Sequence, residues 1–310
     1  MKRFILLTAL LALGVLPLRA QDATPEATPA PELPQEVTQL FDYKQDAPLD
    51  VKEVGSEKRG DVTVKDITYA SPVTGKAIPA YLVLPPGEGK HPGVLYVHWY
   101  EPSAPTSNRT EFLDEAVNFA KSDGVVSLLV ATMWSEPTWY QKGRSLDTDY
   151  DDAIHQVIEL RRGLDVLLAQ PEVDADRVAY VGHDFGAMYG SLLSAVDHRA
   201  KAFVFIAGAS DFNNWMLFGV KKDKATIDAY KAKMEPLAPT HFVAHAAPAA
   251  ILFQFGTEDG YTPAEDIDAF YNAASEPKSI KQYKSDHPME LPEIRADRLA
   301  FLREQLGLGK

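Results

Sequence analysis

The chain has 310 residues, no cysteine and a formal net charge of −13. That length suits one large α/β domain, and the missing thiols rule out disulfides, thiolate chemistry and an acylated-cysteine anchor. The acidic balance repels phosphate backbones and anionic lipid, so neither nucleic acid nor a membrane surface is an expected partner.

Residues 1–20 read as an export signal. Lys2 and Arg3 precede an apolar run that is short for a membrane span, and Leu-Arg-Ala at 18–20 offers a small-residue cleavage site. Cleavage there removes three basic side chains and no acid, leaving −16 and a protein that is periplasmic or extracellular and not inserted in a membrane. Residues 21–45, rich in Pro, Ala, Thr and Glu, hold too little apolar surface to order themselves and read as a flexible linker. The folded domain is expected over 46–310.

Within it, 61–70 and 77–85 predict paired strands around a turn at 71–76. The continuous apolar runs at 91–99 and 124–134 fit strands buried on both faces. Between them Phe112, Ala116 and Phe119 have helical spacing, closed by Gly124. A longer amphipathic helix over 149–170 starts with acids, where the helix dipole favours them. Its Arg161–Arg162 pair and His155 read as solvent-facing. Then come a strand at 177–183, a helix from Phe185, strands at 202–208 and 249–256, a helix from Pro263, a short strand at 279–284 and a closing helix. An antiparallel start followed by βαβα predicts a mostly parallel sheet with helices on both faces. The 30 or so residues after 210 leave room only for a small helical lid, placed at about 211–245.

The turn at 182–186 reads Gly-His-Asp-Phe-Gly between an apolar strand and an apolar helix. Small neighbours let such a turn bend sharply and present the central side chain, and the helix start favours an anion there. Asp184 therefore stands where a nucleophile is displayed. Asp259 follows the next-to-last strand, and His287 sits in the loop before the closing helix. All three fall at strand C-terminal ends, on the sheet edge where ligands bind.

These pieces, with Gly-Thr-Glu-Asp-Gly-Tyr-Thr-Pro at 256–263 and Ser-Asp-His-Pro-Met at 285–289, give residues from about 60 to 305 a pattern that resembles the α/β-hydrolase superfamily, in a dienelactone-hydrolase-like layout. The order nucleophile, acid, histidine is the order of that superfamily. Its dienelactone hydrolases carry Cys at the elbow and its esterases Ser. The Asp elbow is similar to that of epoxide hydrolases and dehalogenating members. The resemblance implies a hydrolase with Asp184 as nucleophile, His287 activating water and Asp259 orienting His287. It also implies an oxyanion site from the backbone N–H groups of Phe185 and Trp99, although the chain reads His-Trp at 98–99 where many members have His-Gly.

Chemistry narrows the substrate. Attack by a carboxylate on an ester yields an anhydride, whereas attack on a carbon bearing halide, or on an epoxide carbon, yields an ordinary alkyl ester. Epoxides and carbon–halogen bonds are therefore favoured. An ester or lactone hydrolase with Asp184 as general base, and a binding protein on a retired scaffold, stay as alternatives. Tyr100, Trp134, Tyr140 and Trp215 are the expected pocket residues and donors to a leaving group. No cofactor or metal is expected: His241 and His245 have helical ligand spacing but no third ligand nearby. His98 reads as structural, bonded to a loop carbonyl. The expected partner is a small-molecule substrate.

Overall fold

The computed structural model describes residues 32–309. The signal reading at 1–20 and the first part of the linker lie outside them. Nine strands form one sheet in the order β1-β2-β3-β5-β4-β6-β7-β8-β9. The meander β1 (Lys52–Arg59), β2 (Val62–Ala70) and β3 (Ala77–Leu84) is antiparallel and joins β5 (Val126–Val130) antiparallel. From β5 onward the neighbours β4 (His91–Val97), β6 (Val173–His183), β7 (Ala202–Ile206), β8 (Ala250–Gly256) and β9 (Lys278–Tyr283) run parallel.

The continuous apolar runs mark the middle of this sheet: every residue of β5, β7 and β8 is buried. Alternate residues feed two cores, as strand pleating requires. Leu95 and Val97 pack toward α3 (Asp149–Leu168) and α4 (Phe185–Val196), with α8 (Ala264–Ala273) on the same face. Val94 and Tyr96 pack toward α2 (Leu113–Asp123) and α9 (Pro292–Gln305). The expected two-faced α/β architecture is the observed one. Strand β1 was not anticipated, because its charged, exposed side chains carry no burial pattern.

The structure departs from the sequence reading near the start of the domain. The linker does not extend to 45: α1 (Gln35–Gln39) leads into Phe41, which is fully buried, and Tyr43 donates its hydroxyl to Asp165 Oδ2 at 2.8 Å. Arg161 and Arg162 are not on the surface. They are 9 % and 1 % exposed, because this segment covers their helix face. Arg161 Nη1 donates to the Phe41 carbonyl at 2.7 Å, and Arg162 Nη2 donates to the carbonyls of Ala47 and Pro48, each at 2.6 Å.

Between β7 and β8 lie α5 (Asn213–Met216), α6 (Lys224–Met234) and α7 (Pro239–Val243). Only the first of these reaches the site, through Asn214, Trp215 and the following Phe218. The α7 helix packs against α4 instead, so the working lid is shorter than the 211–245 expected.

Candidate active site

The elbow is built by close approach. A Cβ on Gly182 would lie 2.3 Å from the Gly186 carbonyl oxygen, and one on Gly186 would lie 2.5 Å from the Val97 carbonyl oxygen. These neighbours are backbone and do not yield, so Gly182→Ala is expected to lose about 1–3 kcal/mol or more of stability, read by denaturant unfolding. The bend between them puts Asp184 at φ 58°, a left-handed conformation that costs a non-glycine residue about 1–3 kcal/mol. Three backbone bonds hold it there: the Asp184 N–H donates to the Ile206 carbonyl at 2.9 Å, and the Asp184 carbonyl accepts from Ala187 at 3.0 Å and Met188 at 3.1 Å. Backbone strain kept at one buried acidic side chain is a reason to look for function at it.

The structure brings Asp184, His287 and Asp259 together. His287 Nδ1 lies 2.8 Å from Asp259 Oδ2, and Nε2 lies 3.8 Å from Asp184 Oδ1, an electrostatic contact longer than a hydrogen bond. Asp259 is fixed in turn by the Tyr261 N–H on its Oδ1 at 2.8 Å. Burial alone would raise the Asp259 pKa, but the His287 contact and these donors hold it below the usual carboxylate range. Glu258, another acid in that loop, instead faces Lys284 at 3.7 Å on the exposed side.

Burial pushes the His287 pKa down, but the Asp184 and Asp259 carboxylates outweigh it and bring it up to about 10. Protonated His287 therefore stabilises the fold fully below about pH 6.5, the ordinary imidazole value, and that contribution disappears as pH rises through about 10. The unfolding free energy of wild type relative to His287→Gln is expected to shrink across that window in denaturant titrations.

The oxyanion expectation is half revised. Phe185 opens α4, so its N–H has no intrahelical acceptor and is left free for such a role. The Trp99 N–H, by contrast, is taken by Glu111 Oε2 at 2.7 Å. The next amide, that of Tyr100, donates to Asp184 Oδ2 at 2.7 Å. Successive amides of an extended chain point in opposite directions, so an assignment one residue early selects the wrong face.

A cavity of about 330 Å³ opens over Asp184, Phe185 and His287, bounded by Tyr100, Tyr140 and Trp215. Trp134 does not line it. It is fully buried, stacked on Tyr189 with centroids 5.1 Å apart, and donates its indole N–H to the His98 carbonyl at 3.1 Å. The remaining polar tips are committed to backbone. Tyr100 donates its hydroxyl to the Pro137 carbonyl at 2.9 Å, Tyr140 to those of Trp215 at 2.5 Å and Phe218 at 2.9 Å, and Trp215 its indole N–H to the Tyr261 carbonyl at 3.3 Å. Glu101, Gln141, Asn214 and Tyr261 supply the cavity's other polar groups, and no Lys or Arg is among the lining residues. His98 has the loop-carbonyl contact expected of it, with Nδ1 2.7 Å from the Trp99 carbonyl oxygen.

Two site neighbours went unread in the sequence, Glu111 and His183. They join at 2.6 Å, and His183 Nε2 lies 3.0 Å from the His287 carbonyl oxygen. An acid two residues before the helix start at Leu113 was the available signal for Glu111.

No protein-family model matches the chain. Over 174 residues it is 29 % identical to Polyketide transferase ATR5 of Stachybotrys chlorohalonatus (strain IBT 40285), which covers 52 % of each chain. The chain thus matches about half the length of that curated relative. Among solved structures it is similar to acetyl xylan esterase 1 from Thermoanaerobacterium sp. JW/SL YS485, with a TM-score of 0.68 and 18 % identity over 88 % of this chain and 95 % of that one. It is also similar to a candidate dienelactone hydrolase from Klebsiella pneumoniae subsp. pneumoniae MGH 78578, with a TM-score of 0.56 and 17 % identity over 80 % and 99 %. The 2,6-dihydroxy-pseudo-oxynicotine hydrolase follows the same fold with a TM-score of 0.61 and 17 % identity over 78 % and 68 %. By its mostly parallel sheet, its glycine-walled elbow and these neighbours, the chain has the α/β-hydrolase fold.

Proposed function

We propose that the protein is a hydrolase that cleaves a carbon–halogen bond in a neutral, mainly apolar small molecule through an ester formed on Asp184. The observation that carries this reading is the Tyr100 N–H on Asp184 Oδ2 at 2.7 Å. One carboxylate oxygen already occupies the oxyanion position, and the other, Oδ1, faces His287. In an esterase that donor would have to be free for the oxygen of the substrate's carbonyl.

Asp184 Oδ1 attacks the carbon, the C–O bond forms, and halide leaves with the bonding pair. Alkylation removes the Asp184 charge, which is one of the two that hold the proton on His287. His287 then loses that proton more readily and serves as base for a water attacking Cγ. Negative charge develops on Oδ2, against the Tyr100 and Phe185 amides. Collapse expels the alcohol with the original Oδ1, and His287 returns a proton to it.

The polar inventory separates substrates. An epoxide oxygen needs a proton as it departs, but the phenols of Tyr100 and Tyr140 are donated to carbonyls and that of Tyr261 sits on a 54 % exposed side chain. Halide leaves as a stable anion and needs only weak donors, which the carboxamides of Gln141 and Asn214 offer. With Glu101 at the cavity and no cation lining it, an anionic haloacid is repelled. Export to a periplasmic or extracellular site belongs to the same proposal and is supported by the basic-then-apolar start of the chain.

The test is a panel of 1-bromobutane, bromoacetate, styrene oxide and p-nitrophenyl acetate, with a single turnover in heavy-oxygen water. Bromide release from 1-bromobutane well above that from bromoacetate is expected, with unlabelled butanol and label in Asp184. Hydrolysis of the ester alone, with label entering acetate and never Asp184, overturns the proposal in favour of Asp184 as general base.

A further inference from the structure

A buried chain of contacts beside the reacting groups takes no part in the steps above. Glu111, in the turn before α2, accepts the Trp99 N–H on Oε2 at 2.7 Å and meets His183 Nδ1 through Oε1 at 2.6 Å. His183 Nε2 lies 3.0 Å from the His287 carbonyl oxygen. The Trp99 indole covers the His183 ring, with centroids 5.2 Å apart and planes 5° apart. His183 is only 1 % exposed. One imidazole, adjacent in sequence to Asp184, thus touches both the loop that carries the Tyr100 donor and the loop that carries His287.

Donor accounting fixes the proton content of this chain. A carbonyl oxygen only accepts, so Nε2 of His183 carries hydrogen. Its Nδ1 faces a carboxyl oxygen at a separation that two lone pairs do not tolerate, so a proton lies between Glu111 and His183. Written as imidazolium and carboxylate or as imidazole and acid, the pair holds one proton more than a neutral histidine beside a carboxylate.

We propose that Glu111 and His183 are positioning residues whose shared proton completes a hydrogen-bonded strut, holding the Tyr100 amide and the His287 side chain in register over Asp184. The rate consequences rest on the catalytic reading of Asp184 and His287; the strut itself does not. The Tyr100 amide is one residue beyond the amide that Glu111 grips, and the His287 imidazole springs from the residue whose carbonyl His183 grips. A displacement of about 1 Å at either costs on the order of 100-fold in rate.

The variants Glu111→Ala, Glu111→Gln and His183→Phe test this. In Glu111→Gln the carboxamide oxygen still accepts from Trp99 while its N–H₂ donates to the Nδ1 of a neutral His183, so the strut closes without the shared proton. Nitrogen-15 histidine NMR is expected to show both His183 nitrogens protonated in wild type and one in Glu111→Gln. The His287 titration midpoint depends on its contacts with Asp184 and Asp259. It is expected to fall toward the ordinary imidazole range in Glu111→Ala and His183→Phe, and to stay in place in Glu111→Gln. With 1-bromobutane as the probe, kcat should fall about 100-fold in the first two with KM within a few-fold, and Glu111→Gln should recover it to within about 3-fold. An unprotonated His183 nitrogen in wild type overturns the proposal, as does an unmoved His287 midpoint in folded Glu111→Ala or His183→Phe. If wild type releases no bromide, it is the Asp184 reading that fails, and the His287 midpoints still decide the strut.

Discussion

A His287→Gln variant exposed to 1-bromobutane is expected to accumulate a butyl ester on Asp184 and to release butanol on the order of 10⁴-fold more slowly than wild type. Intact-mass and peptide spectra should place one butyl group per chain, on the elbow peptide, and Asp184→Asn should carry none. The asymmetry arises because the two halves of the reaction ask different things of the site. Attack on carbon needs only the carboxylate, displayed by the strained turn at φ 58°. Hydrolysis needs a base, and the resting site does not offer one: His287 stands between two carboxylates that raise its pKa to about 10, against the effect of burial. Esterification of Asp184 removes one of those charges. Under the proposed mechanism the base is therefore generated by the first step and is present only when there is an ester to hydrolyse. A general-base enzyme would behave otherwise, since its histidine would have no later moment at which to become basic. Equal loss of alkylation and hydrolysis in His287→Gln, with no ester, would contradict this order of events.

The sequence made the framework legible because its central strands are buried on both faces, and burial of that kind leaves continuous apolar runs such as β7 and β8. Asp184, Asp259 and His287 were legible for the same reason: each follows a recognisable strand, and strand ends share one edge. What stayed hidden depended on direction or on distant cover. Nothing in a string of residues distinguishes the amide of Trp99 from that of Tyr100, yet one points to Glu111 and the other to Asp184. Trp134 and Trp215 look alike on paper. The former is fully buried against Tyr189, while the latter, carried by α5, closes over the cavity. Arg161 and Arg162 share a helix face that is polar by sequence, and only residues 41–48, more than a hundred positions away, turn that face into an interior.

The largest stability effect expected outside the elbow comes from Glu115, because it anchors the strands that deliver two of the site's loops. Glu115 and Arg298 are 2 % and 5 % exposed and form two hydrogen bonds, Nε to Oε1 at 3.0 Å and Nη2 to Oε2 at 2.5 Å. Arg298 Nη1 also donates to Gln254 Oε1 at 3.0 Å, on the strand that leads to Asp259. Tyr96, on the strand that leads to the 98–102 loop, donates to Glu115 Oε1 at 3.4 Å. Replacing Glu115 by Leu leaves Arg298 charged, buried and without its carboxylate, a situation that costs about 3–5 kcal/mol. Denaturant unfolding should show that loss in Glu115→Leu. The double variant Glu115→Leu with Arg298→Met exchanges the pair for apolar side chains of similar volume and is expected to recover most of it, because the desolvation of both charges disappears with their attraction. Its remaining deficit belongs to the groups that lose a partner, Gln254 and Tyr96, and should register on activity as well, since β8 and β4 carry Asp259 and the Tyr100 amide toward Asp184. A double variant no more stable than Glu115→Leu would show that the pair is held by packing around it and not by its charges.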